Sequence, residues 1–228
     1  MKRFYMIQQA ERTADLYIFG DIVKIKLFDD ETSAHSLIQD IKGLDVDQIN
    51  VHIDSYGGAV SEGWAIYNAL RDHPAKVVTY GDGFVASAAL YPFMAGDERH
   101  ASNLSAYYFH RVMMSASGYA DDLRAAANEA DMMTEIGIKA FTDRTDMTAD
   151  QVRALMEAET WLTPERALEL GVATSIIQDE APKAVQSAKK AFFQRLMEPE
   201  GKPPDPPKEP QQKTVPETSL MEMLAEIF

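Results

Sequence analysis

The sequence predicts an α/β protein built from βαβ units around a largely parallel sheet. Strand-like and helix-like patterns alternate from about residue 16 to 177. The helical segments carry cap and stop signals at their ends. At 228 residues, 46% of them hydrophobic and 25% charged, the chain is long enough for one good core with residues left over for a tail.

Taken in order, "LYIFGDIV" (16–23) reads as a strand ending in a turn. In "DDETSAHSLIQDIKGL", Ala34, Leu37, Ile38 and Ile41 recur at helical spacing and Gly43 supplies the stop. "INVHID" (49–54) is the next strand, and "AVSEGWAIYNALRD" the next helix, burying Val60, Gly63, Ile66, Tyr67 and Leu70. "KVVTYGDG" is a strand, followed by "GDGFVASAALYPFMAG" (81–96) as a helix in which Pro92 forces a kink or an early end. "HASNLSAYYFH" runs extended into His110. A longer helix over 121–145 starts acidic at Asp121 and Asp122 and sets Leu123, Ala127, Ala130 and Phe141 near one face. "TADQVRALM" opens with a capping box, Thr148 and Gln151. "TPERALELG" has Thr163 as cap, Pro164 in the first turn and Gly171 past the end.

Composition changes near residue 180. Seven of the 11 prolines lie between 199 and 217, which predicts an extended linker between two short amphipathic pieces, "AVQSAKKAFFQRLM" and "SLMEMLAEIF". The expected organisation is one domain over 1–180 and a tail over 181–228, the tail comprising a short amphipathic helix, a Pro-rich linker and a C-terminal segment.

Several classes of function are excluded. Without cysteine there are no disulfides, thiolate nucleophiles or zinc-thiolate sites. A formal charge of −14 argues against nucleic acid as a partner. No phosphate-binding G-x-x-x-x-G-K-[ST] run occurs, and the five histidines make no metal-binding pattern. No apolar run approaches the roughly 20 residues of a membrane span. The first residues lack the apolar stretch of a secretory signal, so the expected location is the cytoplasm.

The remaining chemistry is nucleophilic. A serine needs a base within reach, an orienter for that base, and donors where the oxyanion forms. Ser87 stands at a strand-to-helix junction, where free N–H groups and the positive end of a helix dipole are available, and the Ala88 N–H is the natural donor. Taken alone, Ser87 fits a helix N-cap better than a nucleophile, and it lacks the G-x-S-x-G elbow. Its small neighbours Ala86, Ala88 and Ala89 suit close substrate approach and close helix packing alike. His110 ends a strand over the edge where helix N-termini gather. His35 falls on a helix, His52 mid-strand, and His73 and His100 in polar, loop-like settings. In "DSYGGAV" the Gly57–Gly58 pair permits a turn that aims the Gly58 N–H into a cleft. For the carboxylate, Asp54, Asp146 and Glu159 all qualify, with Glu159 beside a tryptophan, Trp161, able to shield it.

Together, "INVHIDSYGGAVSEGWAIYNAL", "GDGFVASAALYPFMAG", "YYFHRVM" and "ETWLTPERALELGVATSII" resemble the Clp protease proteolytic subunit, of the caseinolytic serine peptidase family, with the flavour of its phage-encoded head-maturation branch. The four motifs occur in the family's order over about residues 16–177, His110 following Ser87 by 23 residues and Glu159 following His110 by 49. The resemblance implies a serine endopeptidase with Ser87 as nucleophile, His110 as base, Glu159 as orienter, and the Gly58 and Ala88 N–H groups as the oxyanion hole. It also implies the family's spiral of βαβ units, shared with crotonases, with the long helix protruding as a handle. Its other implications are closed homo-oligomeric rings, often seven-membered and stacked in pairs, polypeptide substrates, no cofactor or metal, and an AAA+ unfoldase or phage capsid proteins as partners. The branch adds the phage procapsid to the cytoplasm as an expected location.

The chain departs from the family pattern in places. Glu159 replaces the usual Asp, "SYGG" replaces Ser-Pro-Gly-Gly, and Ala88 replaces the methionine that commonly follows the serine. Two other readings stay open: a crotonase-fold acyl-CoA enzyme, which would need neither Ser87 nor His110, and an inactive ring or capsid-assembly protein.

Overall fold

Parallel strands cannot be joined by tight turns, so each crossover must carry the chain over a face of the sheet. The computed structural model describes residues 5–22 and 34–177, all within the first of the chain's two compact units, residues 1–189. The expected domain boundary near 180, the two amphipathic pieces of the tail and the Pro-rich linker lie outside the described residues, as do Val23 and the first residues of the helix expected from Asp29.

The elements are β1 (Tyr5–Ala10), β2 (Thr13–Phe19), α1 (Ala34–Lys42), β3 (Gln48–Ser55), α2 (Val60–Arg71), β4 (Lys76–Ala86), a 3₁₀ turn at Ser87–Ala89, α3 (Leu90–Met94), β5 (Glu98–Ser102), β6 (Ala106–Phe109), α4 (Ala120–Thr142), α5 (Ala149–Glu157), β7 (Thr160–Leu162), α6 (Pro164–Glu169) and β8 (Ser175–Ile177). The sheet runs β1-β2-β3-β4-β5-β8, with β6 also on β4 and β7 on β6. Strands β2, β3, β4, β5 and β8 pair in parallel, as expected. The antiparallel β1–β2 hairpin has no counterpart in the sequence reading. Its turn holds Glu11 at φ +50°, with no glycine to signal it.

The core forms between the sheet and the helices. Ile49, Val51 and Ile53 of β3 are fully buried, as are Leu37 and Ile41 of α1 and Ile66 and Leu70 of α2. Val60 and Tyr67 are only partly buried, and Ala69 takes a place on the buried face of α2. The caps of α5 and α6 form as read: Thr148 and Gln151 bond reciprocally, and Thr163 accepts from Arg166 N.

Two expectations are corrected, the state of residues 81–86 and the setting of His100. Residues 81–86 are strand rather than helix, because pairing with a further strand, β6, extends β4 to Ala86. The helix proper is the five-residue α3, which ends soon after Pro92. In α4, only Thr134, Gly137, Ile138 and Phe141 are buried, while Leu123 and Ala127 are exposed, because the first turns have no covering element among the described residues. His100 lies within β5 rather than in a loop.

The catalytically suggestive strand ends are set by a fork in β4. Its first half pairs with β5 at Val78–Gly81 and its second with β6 at Phe84–Ala86. At the fork the register with β3 shifts: Ile53 faces Gly81, but Ser55 faces Val85, so β4 carries two extra residues. Asp54 holds this irregularity, its Oδ1 accepting from Phe84 N at 2.8 Å. The bulge turns the end of β4 onto β6, where Ala86 faces Tyr108. Ser87 and His110 therefore leave neighbouring strands side by side.

A polar row crosses the same sheet. Tyr17, His52, Tyr80 and His100 stand in register on β2, β3, β4 and β5. The His52 ring stacks between Tyr17 and Tyr80 at centroid distances of 4.8 and 4.6 Å. His52 Nδ1 is hydrogen-bonded to Asp82 Oδ2 at 2.8 Å, both side chains being buried.

Candidate active site

Ser87 is the first residue after β4, and the chain bends there from extended Ala86 into the 3₁₀ turn with Ser87 at φ +55°. A non-glycine residue in the left-handed region is uncommon and costs on the order of 1–3 kcal/mol, so the surrounding structure must enforce it. The result is a sharp strand-to-helix elbow built without the glycines that usually announce one. Ser87 Oγ lies 2.7 Å from His110 Nε2. An imidazole unprotonated at Nε2 accepts the serine proton at this distance, as a general base must.

The glycine turn after β3 packs directly against this elbow. Gly57 and Gly58 take φ +96° and +137°, values that L side chains rarely adopt. A Cβ on Gly57 would lie 2.6 Å from Ala86 O and 2.7 Å from Ala88 N. Gly58 bridges in parallel to Ile22: Ile22 N donates to Gly57 O at 2.7 Å, and Ala59 N donates to Ile22 O at 2.9 Å. In such a bridge the bonds come from the flanking residues, so the N–H of Gly58 itself points to the other side. Ala88 is the second residue of the 3₁₀ turn, where N–H groups have no partner within the helix. Gly58, Ala88, Ser87 and His110 all line one cavity of about 440 Å³. The rest of its wall is mainly apolar and includes Leu90, Tyr91, Phe141 and Met156. Two of the tyrosines on this wall stay neutral phenols: burial pushes Tyr91 up, and burial with the nearby Asp54 charge pushes Tyr56 up.

The three candidate carboxylates are far apart in role. Asp54 is buried and committed to the β4 bulge. Asp146 lines a polar surface hollow with Arg99 and Arg144, away from Ser87. Glu159 follows α5 at φ +50° and precedes β7. Strands β6 and β7 pair Phe109 with Thr160, and continuing that register sets Glu159 opposite His110. Glu159 and His110 line one recess behind the imidazole. Among the described residues, no hydrogen bond joins the two side chains. The shielding expected from Trp161 is not found: Glu159 is exposed, and Trp161 stacks instead on Tyr108, with centroids 4.5 Å apart.

The sequence reading missed two features here. Asp131 of α4 lines the same recess as His110 and Glu159, brought there by the fold from a helix whose acidic residues all look alike in sequence. The segment after His110 is pinned to α4 by Val112 N donating to Thr134 Oγ1 at 3.0 Å, a bond that only the tertiary packing creates. Among the described residues no three His, Cys, Asp or Glu side chains cluster as a metal site, and no helix is long and apolar enough to cross a membrane.

A serine hydroxyl held to an imidazole at the head of a helical turn, beside backbone N–H groups on an apolar cleft, is the arrangement of a serine hydrolase. A family model described as Clp protease matches residues 13–180. The chain belongs to the Clp protease family, and it is a serine-type endopeptidase. It is 28% identical over 180 residues to the ATP-dependent Clp protease proteolytic subunit 2 of Pseudomonas aeruginosa, covering 77% of this chain and 86% of the relative. It is 27% identical over 194 residues to the ATP-dependent Clp protease proteolytic subunit of Bdellovibrio bacteriovorus, covering 78% of this chain and 92% of the relative. A solved structure of a ClpP1 variant from Listeria monocytogenes superposes with a TM-score of 0.59 at 22% identity, covering 76% of this chain and 94% of that one, which establishes the shared fold.

Proposed function

We propose that this peptidase works through Ser87, His110 and Glu159, with the N–H groups of Gly58 and Ala88 as the oxyanion hole. Ser87 Oγ attacks the scissile carbonyl and passes its proton to His110 Nε2. The tetrahedral oxyanion is held by the two N–H groups, and the imidazolium returns the proton to the leaving amine. Water, activated by the same imidazole, then releases the acyl group from Ser87. Glu159 orients His110 from the recess behind it, its chain position being fixed by the β6–β7 ladder. The observation that carries the reading is the 2.7 Å approach of Ser87 Oγ to His110 Nε2 at an enforced left-handed elbow.

The same reading has the chain working as a homo-oligomeric ring. Its support is the exposed apolar set on and before α4, with Tyr119 86% and Met132 55% exposed, a surface of the kind that a partner protomer covers. Polypeptide substrates, an AAA+ unfoldase or phage capsid proteins as partners, and a cytoplasmic or procapsid location belong to this proposal. So do the division into a peptidase domain over 1–180 with a separate tail, and catalysis without metal or cofactor.

Intact-mass analysis after treatment with a fluorophosphonate tests the site. One adduct on the wild type and none on Ser87→Ala is the expected result, with peptide hydrolysis lost in the variant. Equal labelling or equal turnover by both would overturn the assignment of Ser87.

A further inference from the structure

One set of side chains beside the site is not used by the Ser-His chemistry. Four aromatic rings form a continuous row that ends on the imidazole of His110. Tyr56, the residue before the glycine turn, stacks on Phe84 with centroids 4.7 Å apart. Phe84 meets Trp161 edge-on at 5.7 Å. Trp161 stacks on Tyr108 at 4.5 Å and 24°, and Tyr108 stacks on His110 at 5.3 Å and 23°. Tyr108 and Trp161 are direct cross-strand partners on β6 and β7, so their stacking follows from register. Tyr108 and His110 lie two residues apart, which in an extended chain puts both on one face.

The row matters because it supports the face of the His110 ring, which neither Ser87 nor an in-plane carboxylate at Glu159 would hold. Its Nε2 meets Ser87 Oγ, but no side chain among the described residues is hydrogen-bonded to its Nδ1. A single hydrogen bond leaves an imidazole free to tilt about the bond axis. A near-parallel ring against its face removes that freedom, and an aromatic face also favours the cation that forms when His110 takes the serine proton. Trp161 in turn limits where Tyr108 can move, although it is itself 48% exposed.

We propose that Tyr108, clamped by Trp161, is a positioning residue that holds the His110 ring in the plane needed for proton transfer. This rests on the reading of Ser87 and His110 as the reacting pair. The experiment measures kcat and KM for a short peptide, and the rate of Ser87 labelling by a small fluorophosphonate that does not fill the cleft, in wild type, Tyr108→Leu, Tyr108→Phe and Trp161→Leu. Tyr108→Leu is expected to lower kcat and the labelling rate together by about tenfold, as small misplacements of a catalytic group do, with KM within about twofold. Tyr108→Phe, which keeps the ring, restores most of that loss. Trp161→Leu falls between them and serves as the second variant if Tyr108→Leu does not fold.

Unchanged kcat and labelling in the folded leucine variants would overturn the proposal, as would a loss confined to KM, which would make the row a substrate contact. A wild type inert to both peptide and fluorophosphonate would instead overturn the reading of Ser87 and His110, and this proposal with it.

Discussion

The contact between the glycine turn and the serine elbow makes Gly57→Ala the most informative single substitution. The added Cβ would meet Ala86 O at 2.6 Å, Ala88 N at 2.7 Å and Ser87 Cβ at 2.8 Å. Two of the three are backbone atoms, which cannot swing aside. Restoring ordinary contact at 3.4 Å requires the turn and the elbow to part by about 0.8 Å. The Gly58 and Ala88 N–H groups sit on opposite sides of that gap, so the oxyanion hole proposed for them would open by a similar amount. A misplacement near 1 Å costs about 10²-fold in rate, or about 2.7 kcal/mol in the barrier. An alanine at φ +96° adds conformational strain of about 1–3 kcal/mol to the folded state. Gly20 separates the two effects: it has φ +103° and nothing within 4 Å of a built Cβ. Gly20→Ala should therefore lower the melting temperature and leave kcat/KM intact, whereas Gly57→Ala should lower both. Steady-state peptide hydrolysis, with thermal unfolding followed by circular dichroism, gives the comparison. A folded Gly57→Ala protein with wild-type kcat/KM would refute the reasoning, because the oxyanion donors would then tolerate a displacement the geometry says they cannot.

Two other outcomes are expected. Glu159→Gln should lower kcat by at least about 10²-fold with little change in stability, because it neutralises an exposed orienter without removing packing; a comparable loss in Asp131→Asn and none in Glu159→Gln would move that role to α4. Asp97 bears on the pH dependence of stability. Burial pushes its carboxyl up, but Val77 N–H and the Arg71 and Arg144 guanidinium groups outweigh that and hold it below its ordinary value of 3.8. Its folded state thus protonates later than the unfolded chain as pH falls. The stabilisation is complete above the unfolded value and is lost as pH drops through the folded one. Urea midpoints measured from about pH 5 downward should fall less steeply in Asp97→Asn than in the wild type, and parallel curves would count against this assignment.

What the sequence made legible was local. Caps such as Thr148 with Gln151 and Thr163 with Pro164 declare themselves within one turn of helix, and apolar runs such as "INVHID" declare a buried strand. The β1–β2 hairpin did not show because its turn uses Glu11 where glycine or asparagine would have marked it. The stretch 81–86 misled because Gly81 and Gly83 favour neither strand nor helix while Ala86 leads into the helix-favouring Ala88 and Ala89, and only pairing with β6 decides. Ser87, His110 and the glycine pair are singled out by the resemblance that their motifs carry together, yet their convergence depends on the β4 bulge, which Asp54 and Phe84 N create across 30 residues. The apolar stripe of α4 was legible, but its exposed first half was not, because a stripe states a preference for burial without naming the partner that supplies it.

The His52–Asp82 bond has a bearing on the chemistry that its position conceals. Strands β3 and β4 deliver the glycine turn and the serine elbow, so their relative register sets the spacing of the Gly58 and Ala88 N–H groups proposed as oxyanion donors. A slip by one residue would move one strand about 3.3 Å past the other and turn every side chain to the opposite face. His52 would then lose Asp82, stranding two buried polar groups, and would leave its slot between Tyr17 and Tyr80. The row works as a key cut to a single setting: the sheet closes in the one alignment that also brings the glycine turn against the serine elbow, and misaligned alternatives carry the penalty of unpaired polar groups before any substrate arrives.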